Sequence, residues 1–116
     1  MHYDSQAHRT YRPTPYPGIA CAPLWRNYQG GGHTLLKLDA GASLPLHRHQ
    51  GWEQIHLIEG RLQVNGQTLG PGDHLVLEAG DTHRVIALVP SLYLALSERA
   101  GADILDENGA ATRAKG

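Results

Sequence analysis

The chain has a single cysteine, Cys21, among 116 residues, so no internal disulfide can form and the fold must be held by packing. That usage fits a reducing cytoplasm, the expected location. No stretch approaches the roughly 18 consecutive apolar residues that a membrane helix needs. The N-terminal residues 1–6 are polar and lack the apolar stretch of a secretory signal. Basic residues number 10 and acidic residues 11, with no basic run or stripe, which argues against a dedicated nucleic-acid surface. Ser, His and Asp form no evident nucleophilic triad. No glycine-rich phosphate loop precedes a helix, and no tandem repeat occurs.

What is present is a soluble globular composition, with 41% hydrophobic and 18% charged residues. The length suits one domain with one core. Histidine is the outlier, with eight copies, and fourteen glycines imply many tight turns. Three segments are expected. Residues 1–32 carry Pro13, Pro15, Pro17 and Pro23 and end in Gly30-Gly31-Gly32, a density of proline that excludes helix and favours an extended or edge-strand arm. Residues 33–99 form a β body. Residues 100–116 are an Ala-rich polar tail, with one helical turn at Asp103 to Glu107 and fraying beyond.

In the body, short extended segments alternate with turn signals. Strands are predicted at Leu35–Leu38, Glu53–Ile58, Arg61–Val64, Gln67–Leu69, His74–Leu77, Arg84–Leu88 and Leu92–Leu96. Asn65-Gly66 predicts a type I′ hairpin, because both residues tolerate the positive φ that turn requires. Strands of four to six residues at about ten-residue intervals, without a long helical period, indicate a sandwich or small barrel.

The sharpest chemical signal lies at His47, His49 and Glu53. Successive side chains on a strand alternate faces, so these three, spaced by even numbers, share one side if the stretch is extended. Glu53 shares its face with Ile55 and Leu57, where an ionised carboxylate is costly unless it is paired or bound to a cation. Imidazole and carboxylate suit Fe, Mn, Co, Ni, Cu or Zn, and the lack of a cysteine ligand argues against a closed structural zinc site. His56 has the opposite parity to Glu53, and His74, His2, His8 and His33 lie at a strand start or in the arm, so none of these is expected to bind metal. Tyr93, Arg26 and Gln54 could line a pocket, although no spacing places them there.

The run from Gly41 through His47, Arg48, His49, Gln50, Gly51, Trp52 and Glu53 to Gly60 resembles the first cupin motif at every position: Gly, five residues, His-x-His, three residues, Glu, six residues, Gly. The second cupin motif is matched at Gly72, Gly80 and His83, but Glu78 stands where proline is expected and Ala87 where asparagine is expected. The resemblance implies a double-stranded β-helix, a jelly-roll-like barrel, with His47, His49, Glu53 and His83 as ligands to one divalent transition metal near its mouth. Four protein ligands around a six-coordinate ion would leave two adjacent positions open.

The His47–Glu53 run also resembles cupin domains related to acetylacetone dioxygenase and to ChrR-type anti-sigma factors. That points to Fe and to dioxygenation of an enolisable or phenolic substrate. With Mn, Ni or Zn, isomerisation, decarboxylation or hydrolysis is as plausible, and Glu53 could then detach and shuttle a proton. The alternative is a non-catalytic sensor or ligand-binding module. The expected partners are a small molecule and a second copy in a homodimer, with no nucleic acid and no membrane.

Overall fold

The computed structural model describes residues 1–105 together with 111 and 112. After a short 3-10 turn at Gln6–His8 come β1 (Arg12–Pro13), β2 (Ile19–Arg26), β3 (Gly30–Leu38), β4 (Ser43–His49), β5 (Glu53–Glu59) and β6 (Leu62–Val64). They are followed by β7 (Gln67–Leu69), β8 (His74–Leu77), β9 (Thr82–Ala87), β10 (Ser91–Arg99), β11 (Ala102–Leu105) and β12 (Ala111–Thr112). The strands form two six-stranded antiparallel sheets, ordered β1-β2-β3-β10-β5-β8 and β12-β11-β4-β9-β6-β7. The all-β architecture is therefore the one the turn spacing predicts. Among the described residues no helix is long and apolar enough to cross a membrane.

Period-two alternation sends one face of each strand inward. In β5, Glu53, Ile55 and Leu57 are buried, while Gln54 and His56 face outward. In β9, His83, Val85 and Ala87 are buried. The inner faces of the two sheets meet in a core that includes Leu38, Ile55, Leu57, Leu62, Val85 and Tyr93. Burying a Leu- or Ile-sized side chain contributes about 1.5–3 kcal/mol, so these contacts dominate the stability of the fold.

Turn chemistry sets the registers. Asn65 and Gly66 both hold positive φ, 51° and 81°, and join β6 to β7 with Val64 opposite Gln67. The Asn65 side chain also donates to the Thr82 carbonyl at 2.8 Å and accepts from the Arg84 N–H at 3.0 Å, tying this hairpin to β9.

Two local expectations are corrected. The strand predicted at Leu35–Leu38 begins earlier, at Gly30. Glycine has a low strand propensity, but here the backbones of β2 and β10 pass too close for side chains. A Cβ on Gly32 would run into the Trp25 carbonyl oxygen, and one on Gly31 into the Ser97 carbonyl oxygen. The helical turn expected at Asp103–Glu107 is strand as far as Leu105, because Ala102, Asp103 and Ile104 pair with His49, Arg48 and His47 along the free edge of β4. Residues 106 and 107, and the frayed end expected beyond them, lie outside the described residues apart from β12.

Candidate metal centre

His47 and His49 end β4, His83 lies on the adjacent β9, and Glu53 opens β5 of the opposing sheet. The shared side of His47, His49 and Glu53 thus has a different origin from the one parity suggests. The chain leaves β4 after His49, turns through Gln50, Gly51 and Trp52, and enters the other sheet at Glu53. The two histidines and the carboxylate face each other across the barrel mouth rather than along one strand. The turn is fixed to β10, since the Trp52 N–H donates to Glu98 Oε1 at 3.1 Å and the Glu98 N–H to the Trp52 carbonyl at 3.0 Å.

A β-bulge aims the histidines. Leu44 pairs with Val85 and His47 with His83, so β4 spends three residues where β9 spends two. The extra residue lets Leu44 pack against the core and still points His47, an odd number away, to the same side. Pro45 sits in this bulge, one of the few places in a sheet where a residue without an N–H fits. Its carbonyl lies 2.8 Å from His47 Nδ1, which donates the hydrogen bond and leaves Nε2 with a free lone pair.

One donor atom from each of His47, His49, Glu53 and His83 lies within 4.8 Å of every other. Three of the four residues are buried, and His49 is partly exposed. His49 Nε2 approaches Glu53 Oε2 to 2.5 Å, and His83 Nε2 lies 3.3 Å from the same oxygen. Yet His49 Nε2, Glu53 Oε2 and His83 Nδ1 are buried without a hydrogen-bond partner. Buried polar atoms that crowd together without aligning as hydrogen bonds carry a desolvation cost that a shared cation would offset. The donor chemistry and the orphaned atoms both fit a divalent transition metal.

Electrostatics prepares two of the donors, His47 and Glu53, in their deprotonated forms. Burial, then the neighbouring His83 and His49, lower the His47 pKa to about 4 against the weaker opposing effect of its bond to Pro45. Burial alone would raise the Glu53 pKa, but the contacts with His49 and His83 together outweigh it and hold the carboxyl at about 2. Tyr93, buried in the core with its hydroxyl unpartnered, is pushed well above the usual phenol range by burial and by the Glu53 charge.

The two departures in the second motif are absorbed locally. In place of proline, the turn at Glu78–Asp81 is closed by Asp81, whose carboxylate accepts from the Glu78 N–H at 2.8 Å and whose own N–H donates to the Glu78 carbonyl at 3.0 Å. Gly80, at φ 87°, donates its N–H to the His49 carbonyl at 3.1 Å and so links the His83 turn to the β4 histidines. Ala87 is fully buried and trades backbone bonds with Gly41 and Ala42.

The remaining histidines lie elsewhere. His56 and His74 form a cross-strand pair on the outer face, Nδ1 to Nδ1 at 3.2 Å, with His74 Nε2 2.9 Å from Gln54 Oε1. His2 and His33 pack on Trp25. Of the three residues that lacked a spacing argument, Gln54 faces outward and Tyr93 fills the core, while Arg26 lines a cavity that also reaches His49. Arg99 and Ser97, which no sequence pattern singles out, line the same cavity. Their signal is non-local and lies in the register of β10 against β3.

The ChrR Cupin-like domain profile matches residues 2–99. No curated protein matches the chain by sequence. Among solved structures, a candidate acetylacetone dioxygenase from Methylibium petroleiphilum superposes with TM-score 0.86 at 19% identity, covering 97% of this chain and 86% of its own. The acetylacetone dioxygenase from Acinetobacter johnsonii gives TM-score 0.77 at 20% identity over 96% and 80%. The anti-sigma factor ChrR of Rhodobacter sphaeroides, solved with SigE, gives 0.71 at 21% identity over 81% of this chain and 52% of that one. These likenesses share the fold.

Proposed function

Because this chain belongs to the ChrR Cupin-like domain family, we propose that His47, His49, Glu53 and His83 hold one divalent metal and that the protein is a small-molecule metalloenzyme of dioxygenase type. The observation that carries the reading is the convergence of four donors, three of them buried, at the inner edge of a cavity that reaches His49. A bound metal would supply Lewis acidity and, if it is iron, redox chemistry toward a chelating oxygenated substrate. The protein's share is to keep His47 in one tautomer through Pro45, to hold Glu53 ionised, and to close the inner side of the site with core side chains. Glu53 would accept and return a substrate proton only once detached from the ion and from the two imidazoles that hold its pKa at about 2.

Metal analysis of purified protein, followed by oxygen uptake on addition of acetylacetone or catechol, tests the proposal. Stoichiometric iron with uptake supports it; protein that binds no transition metal overturns it. A second reading, a non-catalytic sensor, is favoured by the family itself, whose namesake was solved with a sigma factor. Metal binding without turnover of any chelating substrate would select that reading.

A further inference from the structure

The cavity beside the candidate metal centre has a charge that the centre does not require. Its volume is about 270 Å³, and its lining includes His49, Arg26, Arg99, Ser97 and the backbone of the Gly30-Gly31-Gly32 run. Arg26 and Arg99, both solvent-exposed, are among its lining residues and, among the described residues, no Asp or Glu is.

The registers explain how residues so far apart in sequence meet here. Arg26 pairs with Gly32, Gly32 with Ser97, and Ser97 with Glu53. Directly paired residues project to the same face of a sheet, so Arg26 belongs to the inward row that ends at Glu53. Three strand spacings separate their Cα atoms, roughly 14 Å at about 4.8 Å per strand. Arg99 pairs with Gly30, two residues along, and shares that face. Along this row of paired residues, glycines and a serine stand between the arginines and Glu53.

The arginines are not consumed by neighbours. Arg26 donates only a long 3.4 Å bond to the Gly30 carbonyl, and among the described residues it has no carboxylate partner. Arg99 meets the adjacent Glu98 at 3.4 Å in a half-exposed pair, and Glu98 is also engaged by the Trp52 N–H. Exposed pairs of this kind are weak and exchange readily. A guanidinium offers a planar fork of donors matched to carboxylate and phosphate oxygens.

We infer that Arg26 and Arg99 form an anion subsite, so that the ligand of this cavity is an oxygen-bearing small molecule with a carboxylate or phosphate group, the anion held by the arginines and the rest directed toward His49. The inference deepens the reading of the site as a small-molecule centre and narrows its substrate class away from neutral diketones.

The test uses the chelator-treated full chain, so its outcome does not depend on metal. Malonate, inorganic phosphate and neutral dimethyl malonate are titrated while the backbone amides and arginine Nε–H signals are followed by NMR. Saturable shifts at Arg26, Arg99 and Gly30–Gly32 are expected with malonate or phosphate, the tighter of the two naming the anion, and none with dimethyl malonate. Arg26→Gln and Arg99→Gln should each weaken binding by about tenfold or more, the loss of a charge-assisted hydrogen bond. Arg61→Gln, which removes the same charge outside the cavity, should not. Metal content of both cavity variants should equal wild type, which separates this subsite from the metal site. Equal binding of the diester, anion shifts elsewhere or absent, or an equal loss in Arg61→Gln would each overturn the inference.

Discussion

His47 and His83 stand directly opposite each other across β4 and β9, with ring centroids 3.8 Å apart and both side chains buried. Two imidazoles that close, out of water, cannot both carry a proton without strong repulsion. His47 is accordingly held neutral, the state in which histidine binds metal.

The consequence for stability has a definite sign. In the metal-free protein burial and the neighbouring imidazoles lower the His47 pKa to about 4, against an ordinary value of 6.5. Between those values the unfolded chain takes up a proton that the fold refuses, so stability present above pH 6.5 is lost as pH falls toward 4. Glu53, held at about 2 against 4.5, adds a further loss of the same sign below pH 4.5. The denaturant midpoint of chelator-treated protein should fall from pH 7 to pH 4.5, and His47→Gln should flatten the upper part of that fall. A midpoint that rises on acidification would contradict it.

Metal binding should separate the histidines by place. His49→Ala removes a converging donor and is expected to lower metal affinity by well over tenfold, by comparison with the 10–100-fold cost of losing only a supporting contact. His56→Ala, on the outer face, should retain full metal content. Thermal shift gives an independent readout, because a ligand at 100 times its Kd stabilises the fold by about 2.7 kcal/mol. Metal should raise the Tm of His56→Ala and leave that of His49→Ala nearly unchanged.

Asp81 offers a subtler test. It closes the turn that places His83 and, through Gly80, touches β4. Asp81→Ala should weaken metal binding by about tenfold while keeping the circular dichroism of the wild type. Asp81→Asn, which preserves an acceptor oxygen, should recover most of the loss. An unchanged affinity in Asp81→Ala would show that the turn is held by other contacts.

Asn65 tests the scaffold alone. Asn65→Ala removes two hydrogen bonds and leaves the Cβ at φ 51° without the side-chain bonds that offset its strain, for a cost of about 2–3 kcal/mol. Asn65→Gly removes the bonds but relieves the backbone, so it should cost about 1 kcal/mol less. Equilibrium urea unfolding distinguishes the two.

Much of this architecture could be read along the chain. Alternation and turn pairs such as Asn65-Gly66 located β5 to β10 because both are local properties. The chain order of His47, His49, Glu53 and His83 was equally visible. What stayed hidden was relational. Parity placed three donors on one strand, whereas the turn at Gln50–Trp52 carries Glu53 to the opposing sheet. Gly30-Gly31-Gly32 read as the end of the N-terminal arm because nothing local reports that two neighbouring backbones press on it. Arg26 and Arg99, 73 residues apart by their numbers, become neighbours only through the pairings of β2, β3 and β10.

The bulge at Pro45 works as a reading frame for the site. Were β4 to pair regularly from Leu44 onward with all its residues kept, Leu46 would stand opposite His83 and every side chain from there to His49 would turn over. His47 and His49 would then point to solvent, while Arg48 would point inward. Deleting Leu46 removes the surplus residue instead and keeps His47 opposite His83, so that variant is expected to retain both the circular dichroism and the metal uptake of the wild type. The centre is thus encoded partly as a count: one residue set out of register in β4 decides whether the inward-facing groups are two imidazoles or one guanidinium.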